Sequence, residues 1–78
     1  MYKQCRLVKT TNTGKLYQVS WIPSQFAKVG KVLQLKNSNT DTWDSGWIVE
    51  SAGEAHEFDE LDRQRDAQKR WANVLDED

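Results

Sequence analysis

The chain predicts an α+β protein: a small antiparallel β-barrel or strongly bent sheet of the Src-homology-3-like kind, one short helical turn, and a long C-terminal helix. Three observations carry this. Up to Glu50 the sequence holds short runs in which apolar and polar residues alternate, separated by turns rich in Asn, Gly and Pro. After Ser51 the alternation gives way to a charged stretch that opens with a helix-start signal. At 78 residues, 37% hydrophobic and 29% charged, the chain is globular in composition and has room for one domain. A domain this small buries only roughly 60% of its unfolded surface, so four Trp, two Phe and two Tyr must do much of the core filling.

The elements follow in order. From Tyr2 to Lys9, Cys5 and Leu7 fall on one face and Gln4 and Arg6 on the other, the period of a half-buried strand. Thr10 to Gly14 is a turn, and Leu16 to Ile22 returns as a second strand, with Tyr17, Val19 and Trp21 expected inward. Pro23 ends it, and Pro23 to Lys28 suits one helical turn from which Phe26 plugs the core. Lys31 to Lys36 is a third strand with Leu33 and Leu35 on one face. Trp43 to Glu50 is a fourth, bulged at Ser45-Gly46, with Trp47 and Val49 inward. Ser51 and Glu54 have the spacing of a capping box, from which a helix is expected to run to about Leu75. The expected division is a barrel over 1–51 and a helix over 52–78, within a single domain.

Charge is split along the chain. Met1 to Thr40 holds Lys3, Arg6, Lys9, Lys15, Lys28, Lys31 and Lys36 and no acid, whereas Asp41 to Asp78 holds twelve acids against four bases. The basic half can face a polyanion, or the acidic half can neutralise it internally. The lone Cys5 excludes an internal disulfide and suits a reducing compartment. No apolar run reaches the roughly 20 residues of a membrane span, and no basic-then-apolar leader opens the chain, so neither a membrane protein nor a secreted one is expected.

Val19-Ser20-Trp21-Ile22-Pro23, then Phe26 to Val32, then Gly46-Trp47-Ile48-Val49 resemble a pattern in small uncharacterised proteins of tailed bacteriophages. The resemblance covers residues 19 to 49. It implies a phage origin and work in the cytoplasm of a bacterial host, and it implies no catalytic residues.

Chemistry is sparse. One Cys and one His cannot supply a structural zinc site, no cofactor is expected, and neither a phosphate-binding glycine loop nor a serine elbow is present, so an enzyme is not expected. Two binding readings remain. In the first, the helix outruns the body. From Ala52 to Leu75 it would span about 36 Å, against about 30 Å for a globule of this size. Trp71, Val74 and Leu75 would then overhang as anchors, with Arg63, Arg65, Lys69 and Arg70 as a polar rim, for a host protein or a second copy in a homodimer. The competing arrangement is a break in the helix that folds Trp71 back onto the barrel. In the second reading, Lys3, Arg6, Lys15, Lys28, Lys31 and Lys36 supply charge, and Tyr2 and Trp43 supply rings, for single-stranded nucleic acid.

Overall fold

The computed structural model describes residues 1–37, 39–65 and 71–77. Among these, β1 (Tyr2–Thr11), β2 (Gly14–Pro23), β3 (Val32–Asn37), β4 (Thr42–His56) and β5 (Val74–Asp76) form one sheet in the order β2-β1-β4-β3-β5, antiparallel throughout. The helix α1 (Glu60–Arg65) is about one and a half turns long. No helix among the described residues is long and apolar enough to cross a membrane.

β1 and β2 make an unbroken hairpin from Tyr2↔Pro23 to Thr11↔Gly14, closed by Asn12 and Thr13. The Thr11 hydroxyl caps this turn, donating to the Gly14 carbonyl (3.0 Å) and accepting from the Thr13 N–H (3.3 Å). β4 is the spine of the sheet, paired with β1 on one side and β3 on the other. Its register slips against β1 between Lys3 and Cys5 and between Arg6 and Leu7, and against β3 between Leu33 and Leu35. Each slip places an extra residue on β4, and each bulge bends the strand and adds twist. The bulge facing β3 falls at Ser45-Gly46, where Gly46 takes φ +87°, a conformation that a side chain disfavours.

The bent sheet wraps a core of Cys5, Leu7, Ile22, Ala27, Leu33, Leu35, Trp47 and Val49, with Phe26, Ala52, Ala72 and Val74 packed against it. The residues from Trp71 onward run along the gap between the outer strands. The Ala72 N–H donates to the Trp21 carbonyl (3.3 Å), making one parallel bridge to β2, and β5 then pairs with β3. One bridge is not a ladder, so among the described residues the sheet is not closed.

Several expectations are corrected. The barrel is an unclosed five-stranded sheet. The long C-terminal helix is absent: residues 51–56 extend β4, and 74–76 form β5. Ser51 and Glu54 are therefore strand residues. A cap is worth only about 1 kcal/mol, whereas strand geometry here gives the first half of β1 its second hydrogen-bonded neighbour and sets Ala52 against the core. The true helix start is Asp59, whose carboxylate accepts the Asp62 N–H at 2.7 Å. The helical turn expected at 23–28 is a pair of successive turns, Phe26 N–H to Pro23 C=O (2.9 Å) and Ala27 N–H to Ser24 C=O (3.2 Å). On β2 the core-facing residues are Ser20 and Ile22, while Tyr17 and Val19 are exposed. Trp21 is buried on the opposite face of the sheet, beneath a cover of its own.

Candidate functional site

That cover is aromatic. Tyr2, Trp21 and His56 come from β1, β2 and β4, and the chain after β4 adds Phe58 and Trp71. Trp71 stacks on Trp21 (5.7 Å, 26°) and meets Tyr2 (5.0 Å) and Phe58 (5.1 Å) edge-on. Trp21 meets Phe58 (4.9 Å) and His56 (5.4 Å) edge-on. These offsets suit ring quadrupoles, which disfavour a face-to-face sandwich. The Arg63 guanidinium from α1 sits over Tyr2 (5.5 Å) and Trp71 (5.1 Å), and donates to the Tyr2 hydroxyl and to Glu60 (3.4 Å each).

Beside the cluster lies a groove of about 440 Å³ whose walls include Tyr2, Pro23, Lys36, Trp43, Arg63 and Val74. Two rings and two cations line it, and no carboxylate does among the described residues. Trp43 keeps 42% of its surface exposed. Lys36 pairs with Asp41 at 2.9 Å, but the Asp41 side chain is 83% exposed, so solvent screens the pair and a ligand can displace it. A second cleft of about 480 Å³ occupies the unpaired seam between β2 and β3, with Gln18, Ser20, Asn37, Asp44, Trp47 and Asn73 on its walls. Lys36, Ala72 and Asn73 line both spaces.

The sequence-derived candidates are scattered, with one convergence. Tyr2, Lys36 and Trp43 meet in the groove, joined by Arg63 and Val74. Arg6 lies over the Tyr17 ring (4.5 Å) and pairs with Glu50 (3.3 Å) on the outer face. Lys31 pairs with Asp76 (2.9 Å). Lys3 is half-buried, Lys15 is at the β1–β2 turn and Lys28 on the loop before β3, so none of these joins the groove lining. Trp71, Val74 and Leu75 do not form one exposed patch. Trp71 is in the ring cluster, Val74 leans on the core and Leu75 is exposed on β5. Arg65 is exposed at the end of α1, and Lys69 and Arg70 lie outside the described residues. Sequence reasoning missed Phe58 and His56 as ring partners, and Gln18, Asn37 and Asn73 as walls of a cleft. The sequence signal for Phe58 is an aromatic residue just before the true helix cap at Asp59.

Cys5 and Asp44 are shifted ionisable groups. Burial pushes the Cys5 thiol up, with Lys3 partly opposing, which makes it poorly nucleophilic. The hydrogen bond from Lys9 holds the Asp44 carboxyl below its usual range; partial burial opposes this, and the Trp47 indole N–H (3.1 Å) adds to the lowering. Among the described residues no three of His, Cys, Asp and Glu gather where a metal ion would sit.

No protein family, curated protein or solved structure matches the chain. Fold and site together define a class by architecture: a small antiparallel sheet protein with a ring-and-cation groove beside an open seam.

Proposed function

We propose that this protein is a non-enzymatic binding module for single-stranded nucleic acid, held in the groove between Tyr2 and Trp43. The observation that carries the reading is the lining itself: flat rings beside Lys36 and Arg63, with no carboxylate among the described lining residues. Rings stack on bases whatever their sequence, and cations hold the phosphates between them. The whole chain carries a formal charge of −1, so attraction is local rather than a property of the entire surface. The phage-like pattern at 19–49 would place this work in a bacterial host's cytoplasm.

The test is titration of the full chain against a fluorescent single strand of about ten nucleotides. Trp43→Ala is expected to weaken binding about five- to a hundredfold, the value of one stacked base. Lys36→Glu is expected to weaken it and to flatten the dependence of log K on log salt by about 0.7 for each phosphate that is no longer neutralised. Lys28→Glu, outside the groove, is expected to change little. No binding at low salt, or undiminished binding by the Trp43 and Lys36 variants, rules the reading out.

A second reading, association with another copy of the chain, rests on β2. Between Gly14 and Ser20 its outer edge carries no partner strand among the described residues, and Leu16, Tyr17 and Val19 are each about half exposed there.

A further inference from the structure

We infer that two copies of the chain join edge to edge through β2, as a two-fold antiparallel pair centred on Tyr17. This rests on the second reading above, association through β2, and deepens it, since an open edge alone fixes no register. The first support is the direction of the backbone groups. In an antiparallel strand a residue's N–H and C=O point to one side and its neighbours' point to the other. The Trp21 carbonyl accepts the Ala72 N–H (3.3 Å) on the side away from β1. β2 runs against β1 without a register slip, so Lys15, Tyr17 and Val19 also turn their backbone groups outward, while Leu16, Gln18 and Ser20 turn theirs to β1. Among the described residues no strand pairs with this outward side of Lys15, Tyr17 and Val19. The tail closes the edge at Trp21, and the Asn12-Thr13 turn closes it at the other end.

The second support is that this stretch complements itself in one register. A centre on Val19 or Gln18 brings Trp21 of one copy into the pairing, where the tail already holds its carbonyl. A centre on Leu16 leaves Val19 facing the turn. A centre on Lys15 sets two lysines face to face, and like charges directly opposite repel. A centre on Tyr17 matches every outward group: Tyr17 faces Tyr17, and Lys15 faces Val19 on either side, with about six hydrogen bonds between the copies. The two Lys15 residues are then about 14 Å apart, beyond the Debye length of about 8 Å. The side chains agree. Tyr17 and Val19 are 49% and 48% exposed, and two facing Tyr17 rings make an aromatic cross-strand pair, each with Arg6 over it (4.5 Å). Tyr17 lies beside Val8, Val8 beside Ile48 and Ile48 beside Val32, so this register carries one apolar row unbroken from copy to copy. The pairing is short beside the roughly 800 Å² per partner of a stable complex, so the dimer is weak and forms as concentration rises.

The experiment is disulfide trapping of the full chain under mild oxidation at rising concentration, read as mass without reductant. Facing residues of such a pair have Cα atoms about 5.5 Å apart, within reach of a disulfide. Tyr17→Cys is expected to cross-link about tenfold or more faster than Lys15→Cys or Val19→Cys alone, whose copies of the new thiol lie too far apart. An equimolar mixture of Lys15→Cys and Val19→Cys is expected to give the mixed dimer in preference to either symmetric one. The native chain, with its buried Cys5, is expected to stay unlinked. Lys15→Cys or Val19→Cys linking to itself as fast as Tyr17→Cys overturns the register and leaves association through β2 standing. Linking by none of the variants, alone or mixed, overturns both. The nucleic-acid reading is independent of every outcome, because Lys15, Tyr17 and Val19 lie outside the groove lining.

Discussion

Asp44 shows how a single carboxylate ties the bulge to the sheet. It accepts from Lys9 on β1 and from the Trp47 indole three residues along its own strand, spanning the kink at Gly46. Its folded pKa lies below the unfolded value, so folding favours the ionised form. The stability this contributes is complete above the ordinary carboxylate range and is lost as pH falls through the lowered folded value. The Asp44 side chain is 46% exposed, so solvent screens the pair and the effect is below about 1 kcal/mol. Urea midpoints taken from about pH 5 down to about pH 2 are expected to fall more steeply for the native chain than for Asp44→Asn. Parallel curves would mean that the ion pair contributes nothing in solution. Cys5 makes the opposite case: a raised pKa at a fully buried position gives no reactive thiol, only a small apolar side chain among Leu7, Ile22 and Val49.

The tail is held by its rings as well as by its backbone. Its backbone joins the sheet through the β5–β3 pairing, the Ala72–Trp21 bridge, the Lys36 N–H to Asn73 (3.1 Å) and the Glu77 N–H to Val32 (3.3 Å), and Trp71 adds contacts to Tyr2, Trp21, Phe58 and Arg63. Trp71→Ala is therefore expected to cost about 2–4 kcal/mol in urea unfolding. Trp71→Phe is expected to cost much less, because the buried Trp71 Nε1 has no hydrogen-bond partner and its removal leaves nothing unsatisfied. A Trp71→Ala change below about 0.5 kcal/mol would show that the tail is not docked. This tail is also where the sequence is least legible. Strands β1 to β4 can be read because Cys5/Leu7, Leu33/Leu35 and Trp47/Val49 alternate against one core, and Gly46 marks its bulge. Tyr17, Val19 and Trp21 alternate equally well, yet they face away from that core: period-2 patterning gives the two faces of a strand but not which one is covered, and Trp21 is covered by Trp71, far along the chain. The Ser51–Glu54 spacing and the charges after it are local helix signals, and long-range pairing of β4 with β1 outweighs them. Of the groove, the residue types at Tyr2, Lys36 and Trp43 are legible. Their meeting with Arg63 is not, because it depends on where the tail crosses the sheet.

An unclosed sheet has free edges, and the whole molecule manages them unequally. On the β3 side, β5 covers the edge and Lys31 ties it down through Asp76. Charge is largely balanced between the halves of the chain: Arg6, Lys9, Lys31 and Lys36 all pair with acids from beyond Thr40. That pairing accounts for a basic half without a broad basic face, and it leaves little net charge to keep copies apart. Among the described residues the β2 side is covered at Trp21, where Ala72 occupies the carbonyl. From Gly14 to Ser20 the edge presents backbone and the half-exposed Leu16, Tyr17 and Val19, a combination that favours strand-to-strand pairing between molecules. Lys15 is the charge on this stretch of edge, and it sits at the turn rather than mid-strand. Arg6 lies over Tyr17, so Tyr17→Glu adds a mid-edge charge beside an existing cation, and its stability cost should stay within about 1 kcal/mol. Sedimentation or light scattering at rising concentration should show the native chain associating and Tyr17→Glu remaining monomeric, with nucleic-acid affinity unchanged because the residue lies outside the groove. If both chains remain monomeric, the edge is protected by the twist of the hairpin alone; if both associate equally, the interface lies elsewhere on the surface.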